Sequence, residues 1–219
     1  MNVFDIIGPV MVGPSSSHTL GALKIGRLAR KLLNGEPAKA VINLHGSFAR
    51  TYRGHGTDKA IIAGLLGFSY DDARIKDSLE IAARAGFSFM FCETELENVH
   101  PNSVLIEVRN VAGKKISLIG SSIGGGRILI KQINGIDVEF DGEYHTLVIS
   151  HKDAPGEIAV VTDILGKNDI NVANMRVYRN RRGGGAFMII ETDEVIDGRI
   201  LSQISAAPLI YDLTYIEPD

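Results

Sequence analysis

Only one cysteine, Cys92, occurs among the 219 residues of the chain. One thiol cannot close an internal disulfide, and alone it holds neither a zinc ion nor an iron–sulfur cluster. Tryptophan is missing and aromatics make up 6%, which argues against a module that stacks nucleic-acid bases. The formal charge is −3, so no bulk attraction to nucleic acid or an anionic membrane is implied. No apolar run approaches the length of a membrane span. The first residues lack the charged-then-apolar layout of a secretory leader, and a cytoplasmic protein is expected. What is present is ordinary: 45% apolar and 22% charged residues, enough for one large domain or two modest ones.

Periodicity places the elements. Val3 to Val12 reads as a short turn or helical piece. A helix follows, with Ser16 or Ser17 as N-cap, Ala22, Ile25, Ala29, Leu32 and Leu33 on one face, and Asn34-Gly35 as its stop. Ala40, Ile42 and Leu44 alternate with Val41, Asn43 and His45 as in a strand. A polar connection leads to Arg53–Lys59, where Thr57 reads as the N-cap of a second helix ending at Gly67. A third helix is expected over 72–85. From Phe87 the pattern turns to β, with an Asn134-Gly135 turn and a domain boundary at Asp141-Gly142. The remainder reads strand, helix, strand, strand, helix, strand, the split βαβ plan of a ferredoxin-like domain. The fold class is therefore α+β (mixed α/β), with domains at 1–143 and 144–219.

Two loop-to-helix junctions stand out. In Gly13-Pro14-Ser15-Ser16-Ser17-His18-Thr19, hydroxyls and the free N–H groups of a helix start can seat a carboxylate or phosphate. His18 is placed to move a proton near neutrality. Redundant hydroxyl capping accounts for the same residues equally well. In Gly54-His55-Gly56-Thr57-Asp58-Lys59, the glycines let backbone approach a ligand; a tight turn with an acid in the first helical turn is the plainer reading. Two such junctions, each with a histidine, say more than either alone. Gly124-Gly125-Gly126 fits a strand-end bend at least as well as an anion cradle, and it is no P-loop. Cys92 reads as a core thiol, His45 as a packed or hydrogen-bonded histidine, His100-Pro101-Asn102 as a turn, and Arg179, Arg181 and Arg182 as a solvated hairpin tip.

Residues 8–19 resemble the opening of the β subunit of iron–sulfur-dependent L-serine dehydratase, as do Gly46-Ser47-Phe48-Ala49, Gly54–Lys59 and Gly120–Gly126. The tail resembles an ACT domain, a small-molecule sensor of amino-acid enzymes, through His151-Lys152-Asp153-Ala154-Pro155-Gly156 and Asp169–Ala173. The resemblance implies an L-serine ammonia-lyase that converts serine to pyruvate and ammonia with a 4Fe-4S cluster. Such a cluster takes cysteine thiolates, so its ligands are expected on a partner α subunit, with no metal ligand in this chain. It further implies that Ser15, Ser16, Ser17 and Thr19 bind substrate, that His18 and His55 are catalytic, and that Thr57, Asp58 and Lys59 line or brace the pocket. His151, Asp153 and Asn171 match effector-binding positions of the ACT domain of 3-phosphoglycerate dehydrogenase, where the second position is Asn. An acid there grips an ammonium and repels a carboxylate. Such sites lie between two ACT domains, so dimerisation through the tail is expected. A non-catalytic amino-acid sensor is the competing reading, but it has no use for the two histidine-bearing junctions.

Overall fold

The computed structural model describes residues 15–218; the expected turn at Val3–Val12 lies outside the described residues. The chain divides into two compact units, Met1–Gly135 and Ile136–Asp219.

In the first unit a π-turn, Ser16–Gly21, runs directly into helix α1, Ala22–Leu33. The five apolar residues read from the sequence are all buried along α1, and Asn34 ends the helix in the left-handed conformation. Strand β1, Pro37–His45, is followed at once by α2, Gly46–His55, and α3, Thr57–Leu65. A 3₁₀ turn, Ala73–Asp77, and α4, Ser78–Arg84, precede β2, Ser88–Thr94. An antiparallel run of β3, Ser103–Asn110, β4, Lys115–Gly124, and β5, Arg127–Ile133, completes this unit, in spatial order β2-β1-β3-β4-β5.

Strand alternation decides which face is covered. Ala40, Ile42 and Leu44 register with Val108, Ile106 and Val104, which register with Ile116, Leu118 and Gly120. All are buried, and a Cβ on Gly120 would strike Ile25 of α1. That face carries the helices. The opposite face presents Lys39, Val41 and Asn43 with Glu107 and Arg109.

The second unit opens with β6, Ile136–Phe140. Its four-stranded sheet has the order β10-β7-β9-β8, from β7, His145–Lys152, β8, Val172–Arg179, β9, Gly185–Thr192, and β10, Ile210–Ile216. Helices α5, Glu157–Lys167, and α6, Gly198–Ser205, cover it. Leu147, Ile149, Met188 and Ile190 meet Val161, Leu165, Ile200 and Ile204 in one core. This is the expected ferredoxin-like order.

Several local expectations are corrected. Residues 46–55 form α2 rather than a polar connection. The helix was hidden because only Phe48 is buried, leaving no apolar period to read. Ser15, not Ser16 or Ser17, is the N-cap of the π-turn: its backbone is extended and its Oγ accepts from His18 N–H at 3.1 Å. Gly56, in the left-handed region at φ 70°, takes the cap position assigned to Thr57, which becomes the first residue of α3. The helix over 72–85 is split into the 3₁₀ turn and α4. Cys92 is only half-buried, because β2 is an edge strand and Cys92 shares the open face with its register partner Asn43. Arg179, Arg181 and Arg182 are exposed, as expected of a hairpin tip, and Arg179 also donates to Asp153 at 2.9 Å.

Candidate active site

The two histidine-bearing junctions meet. Helix α1 lies along α3, and their glycines permit it: a Cβ on Gly64 would lie 2.2 Å from the Leu23 carbonyl, and one on Gly26 2.5 Å from that of Ile61. This close crossing brings the start of α1 beside the α2–α3 corner. The His18 and His55 rings stand 4.7 Å apart, tilted by 34°. Phe48 closes one side of His18 edge-on at 5.4 Å.

Each group at this junction has a traceable state. His18 Nε2 lies 3.2 Å from Ser47 Oγ. The Thr19 hydroxyl donates to the His55 carbonyl at 3.2 Å, so Thr19 braces the corner. Ser15 is occupied in capping. Ser16 and Ser17 are half-buried, and their hydroxyls have no hydrogen bond among the described residues. His55 Nδ1 and Thr57 Oγ1 are buried without a partner among the described residues. Asp58 is nearly buried and receives Lys59 N–H at 2.8 Å. Lys59 itself is exposed, while its carbonyl accepts from Ser78 Oγ at 2.7 Å. Burial lowers the pKa of His18 from 6.5, and the neighbouring His55 lowers it further. A neutral imidazole persists there below the usual histidine range. An open hollow of about 490 Å³, lined by Arg50, Arg53, His55 and Glu93 among others, reaches the same corner.

Ser47 was not among the expected site residues, although it supplies the hydrogen-bond partner of the His18 ring. It is positioned by Gly46, whose φ of 58° fits it against Pro101, where a Cβ would lie 2.5 Å from the carbonyl oxygen. Pro101 O in turn accepts Ser47 N–H at 2.8 Å. A glycine-serine pair directly after a strand was the available signal. Ser122 was also missed. Its Oγ is buried and has no partner among the described residues, and it lies against Gly21 of the π-turn. The π-turn has no simple sequence signature, but such turns recur at functional sites.

Among the described residues no group of three or more His, Cys, Asp and Glu side chains is placed to hold a metal ion. The chain's single thiol does not fit a thiolate-held cluster.

In the second unit the three expected effector residues do not come together within one copy. His151 is buried at one end of β7; its Nδ1 lies 2.9 Å from the Lys152 carbonyl, and its Nε2 has no partner. Glu157, in the first turn of α5 and also buried, has an unpartnered Oε2. Asp153 accepts from Gly183 N–H at 2.8 Å and from Arg179, and these bonds hold its carboxyl below the usual carboxylate range. Asn171 lies at the other end: His151 registers with Ala186, whereas Val172 registers with Thr192. At ~3.3 Å per residue the separation is about 20 Å. Asn171 is bonded to Asp193 at 2.7 Å.

A histidine pair at a hydroxyl-bearing helix start, joined in the chain to a ferredoxin-like unit of the ACT type, is what the fold and the site define. The serine dehydratase beta chain family matches residues 2–86, and the ACT domain family matches residues 145–209. The chain is 46% identical to the probable L-serine dehydratase beta chain of Bacillus subtilis, over 98% of this chain and 97% of that one. It is 40% identical to the L-serine dehydratase beta chain of Peptoniphilus asaccharolyticus, over 99% and 98%. A D-3-phosphoglycerate dehydrogenase of Bacillus subtilis is 27% identical over 89% of this chain and 37% of its own length. The chain belongs to the L-serine dehydratase beta chain family. No helix among the described residues is long and apolar enough to cross a membrane.

Proposed function

We propose that this chain is the substrate-seating half of an L-serine ammonia-lyase. Loss of water from L-serine gives an enamine, which rearranges to the imine and hydrolyses to pyruvate and ammonia. The observation that carries this reading is the meeting of His18, His55 and Ser47 next to the half-buried Ser16 and Ser17. Backbone N–H groups at the helix start and those hydroxyls suit the substrate carboxylate. His18, kept neutral by desolvation, serves proton transfer, with Ser47 holding its ring. Thr19 braces the His55 corner, the buried Thr57 hydroxyl lines it, and Asp58 and Lys59 shape the start of α3. The 4Fe-4S cluster of this enzyme class is proposed to reside on a cysteine-bearing α chain, and no step of this chain's chemistry is assigned to it.

The ACT unit is proposed as an amino-acid sensor. The buried, unpartnered His151 Nε2 and Glu157 Oε2, both on segments flanking the β7–α5 loop, support a site there for a polar ligand.

Anaerobic reconstitution with the α chain, iron and sulfide should restore pyruvate formation from L-serine, and the chain alone should be colourless and inactive. A chain that turned over serine by itself would refute the division of labour. His18→Ala should lower kcat by about 10²-fold or more; full turnover in that variant would remove His18 from the chemistry. If the reconstituted pair bound amino acids without any turnover, the chain would be a sensor and no enzyme subunit.

A further inference from the structure

The face of the first sheet turned away from α1 and α3 carries an unusual row. Lys39 of β1 registers directly with Arg109 of β3, and Arg109 with Lys115 of β4. Three cations thus stand side by side on adjacent strands of one face. All three are exposed, and among the described residues their side chains have no hydrogen bond or ion pair. Like charges directly opposite each other across strands are destabilising.

The same-face carboxylate of β3 is hydrogen-bonded elsewhere. Glu107 lies one same-face position along β3, but it accepts from Asn43 Nδ2 at 3.3 Å. Asn43 lies on the side of Glu107 away from the cation row, since the intervening row pairs Val41 with Glu107 and Ser117. The row borders an open hollow of about 470 Å³, lined by all three cations together with Ser117 and Asn134, and by Glu107 on the side toward Asn43. That volume lies in the range of small-molecule sites. Asn134 is fixed at its rim: its N–H donates to Ser117 O at 2.8 Å, and its Oδ1 accepts Ser117 N–H at 3.0 Å. Those two bonds occupy the backbone of Ser117 and the amide oxygen of Asn134. The Asn134 amide nitrogen and the Ser117 hydroxyl remain as donors.

We infer that this hollow binds a small anion bearing two or more negative charges, of the phosphomonoester or polycarboxylate class. Arg109 takes the anion by its guanidinium fork, Lys39 and Lys115 flank it, and Ser117 and Asn134 donate from the far rim. The ligand relieves the repulsion among the three cations. The site is independent of the His18–His55 corner, whose residues line no part of the hollow.

Thermal unfolding of the full chain at low ionic strength tests this, with inorganic phosphate and citrate as probes and chloride at matched ionic strength as reference. Phosphate, citrate or both should raise the midpoint saturably beyond the chloride effect. A response to one alone decides between the two anion classes. Arg109→Gln and Lys115→Gln should each raise the midpoint without anion and weaken the anion response about tenfold, the loss expected for one charged hydrogen bond. Arg181→Gln, an exposed cation elsewhere, should leave the response unchanged. Isothermal titration of the wild-type chain provides a reading that does not depend on any variant folding. Absence of saturable binding to either probe, an unaltered response in Arg109→Gln, or stabilisation by heparin alone would overturn the inference.

Discussion

His18 holds a proton less firmly than a free histidine because burial, and then the nearby His55 ring, disfavour its cation. The direction sets a pH dependence. Between its lowered folded value and the ordinary 6.5, the unfolded chain binds a proton that the folded chain does not, so stability rises with pH through that window. The contribution is complete above 6.5 and is lost as pH falls through the folded value. Urea midpoints of the isolated chain should therefore slope upward with pH in this window, and His18→Gln should flatten that part of the slope. In an NMR titration, the His18 resonance of His55→Gln should shift its midpoint upward, since one of the two causes has gone. An unchanged midpoint would show that the rings are not coupled. Ser47 acts on the same ring from the other side. Ser47→Ala should lower kcat in the reconstituted enzyme about tenfold through lost orientation, and Ser47→Thr should recover most of it, because the hydroxyl is what holds Nε2 at 3.2 Å.

At the scale of elements, the α1–α3 crossing sets the distance between the two histidines. Gly26 and Gly64 lie in direct backbone contact there, and no larger residue fits. Gly64→Ala should destabilise the chain by about 1–3 kcal/mol, the usual result of overpacking a close contact, measured by chemical denaturation. Because α1 begins at the His18 turn and α3 at the His55 corner, the same change should also lower turnover. Full activity with lowered stability would separate the crossing from the site. These elements were unequally legible. The buried stripe of α1, from Ala22 to Leu33, and the alternation from Ala40 to Leu44 follow from periodicity, because one face of each meets a core. Helix α2 could not be read, since its Arg50, Thr51 and Arg53 face outward or partly so and only Phe48 is buried. The capping register was one or two residues off at the first junction and one off at the second, because a π-turn and a left-handed Gly56 each displace the cap from where a regular helix start would put it. Both histidines were nominated from their loops. Ser47 was not, because its contact with His18 spans 29 residues and exists only once α2 is formed.

For the whole molecule, the ACT-type unit cannot use its proposed effector residues alone. His151 and Asn171 lie at opposite ends of one sheet, about 20 Å apart by strand rise, while a free amino acid is a few ångströms across. A second copy, arranged so that the His151 end of one sheet meets the Asn171 end of the other, makes them neighbours. Exposed aliphatics on this unit suit such an association: Ile158 and Val160 of α5 stay 42% and 41% exposed, and Val177 of β8 38%. Asp153 would contribute little to ligand directly, since Gly183 and Arg179 already take its oxygen; its role is to pin the 180–184 hairpin beside the His151 end. Binding of an amino acid to the full chain should therefore strengthen dimerisation, as linkage requires of a ligand held between copies. In sedimentation velocity, L-serine or another effector amino acid should shift the monomer–dimer midpoint to lower protein concentration. His151→Ala and Asn171→Ala should each abolish the shift, although the two residues never touch within one chain. Asp153→Asn should preserve it in part, because an amide can still accept from Gly183. Amino-acid binding with equal affinity to a strictly monomeric chain would place the effector at the His151–Glu157 end alone and leave Asn171 without a part in it.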